Sequence, residues 1–257
     1  MINIKYAKQA FEKYLSTFDR NNPKISLKII HTYGVVYYTQ LICEKMMLNN
    51  EDTDLSLLIA LLHDIGRFEQ VRIYDSFEHT TMSHAHYGVE LLKKNQFIRQ
   101  FVKDDTYDEI IYQAIYHHSD YQLDPSLDPR TMFFCQMIRD ADKLDNCRVK
   151  LHDSIEILLN ETIEEVGSEA ISEKVWEACL KKSSVLLSDR KTKIDYWVSY
   201  IAYFFDINFK ESFQIIEEKK FVSKIIHRIS YSNQETYKKM ILLEELTNAF
   251  VQQKIKE

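Results

Sequence analysis

Glycine and proline are scarce in this chain, with 4 and 3 copies in 257 residues. These residues punctuate turns and sheets. Their shortage, beside abundant Leu, Ile, Lys and Glu, argues against a β-rich protein and for a mostly helical one. Cysteine is sparse as well. Cys43, Cys135, Cys147 and Cys179 form no CxxC pair, and the closest two stand twelve residues apart. That spacing excludes zinc-ribbon and thioredoxin-like sites. Scattered thiols suit a reducing compartment, and a cytoplasmic location is expected. No window approaches the roughly 18 uncharged apolar residues of a membrane span. The opening MINIKYAKQAFEKYL is amphipathic and charged, without the apolar core of a signal peptide. A basic excess is also missing. The net charge of −6 argues against a nucleic-acid polymer as partner. It leaves room for a small anionic substrate, nucleotides included, because local charge decides that.

Apolar residues recur at helical spacing almost throughout. Helices are expected over about 3–18 and 25–48, and then over LSLLIALLHD after the turn-and-cap cluster NNEDTD. That third segment is apolar nearly all round, so it is expected at the centre. Residues 65–82 lack a helical stripe and read as a long loop, with Gly66 letting the chain leave the preceding helix. Ser83 reads as the cap of HAHYGVELLKK. Thr106 and Glu109 read as a capping box for YDEIIYQAIYHH. A second loop, SDYQLDPSLDP, precedes the helical RTMFFCQMIRDADKLDN. The rest of the chain stays helical without a Pro-, Gly- or Ser-rich linker. One all-helical domain over 1–257 is expected, with a core at about 25–150 and additional helices at about 151–257 packed on it. A separate helical appendage after about residue 150 is the alternative.

Polar groups sit where such helices should be apolar. His31, His63, Asp64, His84, His117, His118 and Asp142 lie within or at the edge of apolar segments. Burying several imidazoles and carboxylates without partners would cost several kcal/mol. A shared divalent metal removes that cost. A His/Asp set without Cys suits Mn, Fe, Mg, Co or Ni, and also Zn.

The order His31 … His63-Asp64 … Asp142 resembles the H…HD…D ligand pattern of the HD-domain metal-dependent phosphohydrolase superfamily. LLHDIG resembles its HDIG form, and RDADKLDN resembles the segment that supplies the last aspartate. That match selects Asp142 over Asp140. The resemblance covers about residues 25–150. It implies an all-α HD-domain-like helical bundle. It also implies a phosphohydrolase that cleaves a phosphomonoester or phosphodiester of a small phosphorylated metabolite or nucleotide, by attack of metal-activated water.

SHAHYGVELL and YHHSD resemble further segments of binuclear members. The histidine four residues before Gly88 is His84, which selects it over His86. On this reading His31, His63, Asp64 and Asp142 hold one ion. Asp64 bridges to a second, held by His84, His117 and His118. With one ion only, the extra histidines would bind phosphate or move protons.

The GYP that follows the double histidine in cyclic-di-GMP phosphodiesterases is absent, so that substrate is not expected. Lys143 and Arg67 follow ligand motifs directly and are the expected cations for phosphoryl charge, in catalysis and substrate binding alike. His79 is a further candidate for substrate contact. Asp145, three residues after Asp142, is a candidate acceptor that fixes a histidine ring. A di-iron oxygenase and a non-catalytic nucleotide sensor are the alternative classes.

Overall fold

The computed structural model describes residues 2–78 and 80–257, and every regular element among them is helical. The chain divides into two compact units, Met1–Asp145 and Asn146–Glu257.

The first unit holds α1 (Ile4–Leu15), α2 (Pro23–Met46), α3 (Asn50–Leu62), α4 (Ile65–Tyr74), α5 (His84–Lys93) and α6 (Asp108–His117). The boundary between units falls within α7 (Pro129–His152). Asn3, Asn22 and Asn49 cap the first three helices through their side chains, each satisfying amides that have no partner inside the helix. Pro23 sits in the first turn of α2, where its missing N–H costs nothing. Leu55 to Leu62 are buried without interruption. Thus α3 is the central element, with α1, α2 and α6 packed on it.

Helix α4 lies where the sequence predicts a loop. No apolar stripe marks it because the helix is covered on more than one side: Ile65, Gly66, Phe68, Glu69, Gln70 and Val71 are all buried. Phe68 meets Phe11 and Phe18 at centroid distances of 6.0 and 5.6 Å. The Tyr14 hydroxyl donates to the Ile65 carbonyl at 3.2 Å and lies 3.3 Å from Glu69 Oε1. Arg72 pairs with the same carboxylate, so Glu69 ties α4 down and is engaged away from Asp64. The buried Gln70 amide donates to the Glu78 carbonyl and the Thr81 hydroxyl at 2.8 and 2.9 Å. Those bonds fold a shorter loop back over α4.

Gly66 does not release the chain from a helix. It stands in the first turn of α4, where α4 and α5 approach each other. A Cβ there would collide with the backbone carbonyl of His84. Ser83 does precede α5, but its side chain makes no capping bond. The capping box expected at Thr106 is not formed. Thr106 bonds Asp104 instead, and α6 starts later with Tyr107 at its cap.

The second unit contains α8 (Ile155–Leu159), α9 (Ile163–Ser168), α10 (Glu173–Leu180), α11 (Lys193–Ala202), α12 (Lys210–Lys219), α13 (Phe221–Ile226) and α14 (Gln234–Lys256). Capping boxes at Thr162/Glu165 and Thr192/Asp195 start α9 and α11. Trp197, Phe204, Phe213, Ile215, Met240 and Leu243 are buried, and α12 and α13 pack on α14. All four cysteines are free and buried. Among the described residues no helix is long and apolar enough to cross a membrane.

Candidate metal centre

Six helices, α2 to α7, deliver the site. His31 comes from the middle of α2. His63 ends α3 and Asp64 starts α4, so the HD pair occupies the junction between two helices. His84 opens α5, His118 follows the last residue of α6, and Asp142 projects from α7. His31, His63, Asp64, His84 and His118 are all buried, while Asp142 is partly exposed.

The two oxygens of Asp64 face different neighbours. Oδ2 lies 3.8 Å from His31 Nε2 and 3.7 Å from His63 Nε2. Oδ1 lies 3.3 Å from His84 Nε2 and 3.8 Å from His118 Nε2. Asp142 Oδ1 lies 3.0 Å from His31 Nε2, and the His84 and His118 Nε2 atoms stand 3.1 Å apart. Two sets of ligand atoms converge within 4.8 Å: His31, His63 and Asp142, and His63, Asp64 and His118.

The backbone fixes how the rings face. His63 Nδ1 donates to the Ala60 carbonyl at 2.8 Å, and His118 Nδ1 to the Ile115 carbonyl at 2.7 Å. Each bond reaches back three residues to an orphan carbonyl at a helix end. His31 Nδ1 donates to Asp145 Oδ2 at 2.7 Å. With Nδ1 protonated, each neutral ring presents its Nε2 lone pair to the centre. Asp145 is fully buried. It fits because Gly34 has no side chain: a Cβ there would fall on the Asp145 carboxylate. Carboxylate, imidazole and ligand position thus form the arrangement that orients metal-binding histidines.

Electrostatics keep the carboxylates charged and three of the four rings neutral, as ligation requires. Burial pushes His63 down to about 4, and also lowers His84 and His118. Burial opposes the charge on Asp64, but Lys28, His63 and His84 hold its carboxyl well below the usual range. Asp142 is likewise lowered against burial by its hydrogen bond with His31. Burial and Lys28 disfavour the charged form of His31, yet its hydrogen bonds to Asp142 and Asp145 raise it.

The donor set fits a divalent cation. His63 Nε2 is buried and has no hydrogen-bond partner, although buried polar atoms nearly always find one. Its lone pair, those of His31 and His118, and two carboxylates point at one region. Only a cation satisfies all of them.

His117 is not brought into this cluster. Its Nδ1 lies 2.6 Å from Asp120 Oδ2 and its Nε2 3.1 Å from Gln113 Oε1. Consecutive helical residues diverge by about 100°, so His117 and His118 cannot both face inward from the end of α6. Asp140 is buried but belongs to neither converging set. Lys143 follows Asp142 on α7 and is half-buried. Arg67 Nε lies 3.8 Å from Asp64 Oδ1, and its Nη1 donates to Gln70 Oε1 and the Phe77 carbonyl at 2.7 and 2.9 Å. His79 lies outside the described residues.

Two participants escape the motif reading. Lys28 Nζ lies 2.7 Å from Asp64 Oδ2 and 5.5 Å from the centre of the Phe77 ring. Its signal was present, since it precedes His31 by three on the same helical face. Arg139 is buried, and its Nη1 donates to the Asp120 carbonyl and reaches those of His117 and His118 at 3.4 Å. It thereby fixes the end of α6 that carries His118. Nothing in the local sequence marks that role.

The HD domain family model matches residues 29–147. This part of the chain is an HD domain, of the superfamily of HD-domain metal-dependent phosphohydrolases. HD domains bind divalent metals, and the superfamily consists generally of metal-dependent hydrolases. No curated protein and no solved structure matches the chain.

Proposed function

We propose that the protein is a phosphohydrolase that cleaves a phosphomonoester or phosphodiester bond of a small phosphorylated metabolite. The observation that carries this reading is the buried convergence of imidazole lone pairs on Asp64 and Asp142, beside the cations Lys28 and Arg67. His31, His63 and Asp142 would hold one divalent ion; His84, His118 and the shared Asp64 would hold a second. Such an ion acidifies water and polarises a phosphoryl oxygen.

The protein groups divide the remaining work. Asp145 keeps the His31 ring turned inward. The Ala60 and Ile115 carbonyls do the same for His63 and His118. Asp64 would offer Oδ2 on the side of His31 and His63 and Oδ1 on the side of His84 and His118. Lys28 and Arg67 supply positive charge next to Asp64, where the equatorial oxygens of a phosphoryl group gain negative charge in the transition state. Lys143, next to Asp142 on α7, is proposed as a third cation. Arg67 is anchored by Gln70 and the Phe77 backbone, so its charge is held in place before substrate arrives. His79 is proposed as a substrate contact.

The test is a chelated and reconstituted protein series with Mn, Fe, Co, Ni, Zn and Mg, assayed on monoester, diester and sugar-phosphate panels. Hydrolysis that chelation abolishes and Asp64→Asn removes is expected. Fully metallated protein that cleaves none of these esters refutes the assignment.

A further inference from the structure

One aromatic ring stands against both cations that reach Asp64. The Lys28 ammonium lies 5.5 Å, and the Arg67 guanidinium carbon 5.9 Å, from the centre of the Phe77 ring. The same two side chains meet the two oxygens of Asp64: Lys28 Nζ lies 2.7 Å from Oδ2, and Arg67 Nε 3.8 Å from Oδ1. Carboxylate, cations and ring therefore form one continuous set of contacts. The side chains of Lys28 and Arg67 are only 14% and 17% exposed. Their charges are largely out of water, where attraction to a π face is stronger. Phe77 itself is half-buried, so part of the ring stays open.

The segment that carries this ring is tied down at successive residues. Lys24 Nζ pairs with Asp75 Oδ2 at 2.7 Å and donates to the Asp75 carbonyl at 2.5 Å. Arg67 Nη1 donates to the Phe77 carbonyl at 2.9 Å. Gln70 Nε2 donates to the Glu78 carbonyl at 2.8 Å, and the Glu78 amide to Ser76 Oγ at 3.0 Å. Gln70 is fully buried on α4, so this anchor does not move with solvent. The ring is thus held in place before any substrate arrives, and ordering it adds no cost on binding.

We propose that Phe77 is a specificity residue: its ring walls the phosphate position and selects esters whose organic part next to the phosphate is flat and apolar, an aryl or heteroaryl group. The inference rests on the hydrolase reading, because it takes the phosphoryl group to lie against Lys28 and Arg67. The organic substituent is bonded to that group and so comes close to the ring beside the same cations. Sugar hydroxyls placed against the ring give up water without gaining a partner, which costs free energy. A flat apolar group has no such loss and gains stacked or edge-on contact.

Calorimetric titration of the Mn-loaded full chain with phenylphosphonate and with methylphosphonate tests this without turnover. Neither compound has an ester bond to cleave, and both are used as dianions. Wild type is expected to bind phenylphosphonate about tenfold more tightly. Phe77→Ala is expected to bring the two affinities within about twofold, through weaker phenylphosphonate binding and with an unchanged circular dichroism spectrum. Phe77→Leu keeps apolar bulk without a flat face and is expected to cut the preference to about threefold. It serves as the probe if the alanine variant fails to fold. A full preference that survives in the folded variants overturns the proposal. So does equal or undetectable binding of the two phosphonates by wild type. If that wild type still cleaves esters, the hydrolase reading stands and only the role of Phe77 falls; if it cleaves none, both fall.

Discussion

Asp145 shows how much a single side chain decides in this site. It fixes the His31 ring through a 2.7 Å hydrogen bond. Asp145→Asn leaves the volume unchanged but removes the anionic acceptor. Metal affinity measured by titration calorimetry should fall about 10–100-fold, the usual cost of losing such a partner. Gly34→Ala should give a similar loss, because the new Cβ claims the space of that carboxylate.

The adjacent histidines separate in the same assay. His118→Ala should abolish tight binding at one position. His117→Ala, whose ring faces Asp120 and Gln113, should change affinity less than threefold. A loss as large as that of His118→Ala would place His117 among the ligands.

His63 also carries a pH signature. Its pKa falls from 6.5 to about 4 on folding, so between those values the unfolded chain binds more protons. Stability of metal-free protein should therefore fall as pH drops from 6.5 toward 4, by about 3 kcal/mol from His63 alone. Thermal melts of chelated protein across this range should show a shallower acid slope in His63→Gln.

At the scale of elements, the approach of α4 to α5 joins Asp64 to His84. Gly66 is the contact residue, and a side chain there meets the backbone of α5, which cannot rotate away. Gly66→Ala should lower Tm, with about 1–3 kcal/mol lost to overpacking, and should weaken metal binding at the position served by His84. A variant with normal stability and normal metal affinity would show that the two helices can separate without consequence.

This contact also explains why the sequence misled over residues 65–82. Helix periodicity appears when one face is apolar and the other meets water. Buried Glu69 and Gln70 break that pattern, because Tyr14, Arg72 and the Glu78–Thr81 loop satisfy them instead of solvent. The reading succeeded for α3, whose eight consecutive buried residues are apolar except Ser56. It failed at Thr106, where Asp104 competes for the hydroxyl.

At the scale of the whole molecule, binding to the folded state alone should raise stability by about 2.7 kcal/mol at a metal concentration of 100 Kd. The gain belongs to the Met1–Asp145 unit, which holds every proposed ligand. Hydrogen exchange should show added protection in α2, at the α3–α4 junction and at the starts of α4 and α5, with α12–α14 unchanged. Protection spread evenly over both units would contradict a site confined to the first.

The sequence by itself determined the helical class, through its few glycines and prolines and its apolar spacing. It also laid out a donor set: His31, His63-Asp64 and Asp142 carry the imidazole and carboxylate atoms of the kind that hold a cation. Tertiary structure decided what spacing along the chain cannot express. It chose His118 over His117, because a helix end admits one of two neighbours to the interior. It brought Lys28 to Asp64, pinned α6 with Arg139, and turned three rings by giving each Nδ1 an acceptor. Those choices rest on contacts between residues as much as 114 positions apart, as for His31 and Asp145, and such contacts exist only once the helices have packed.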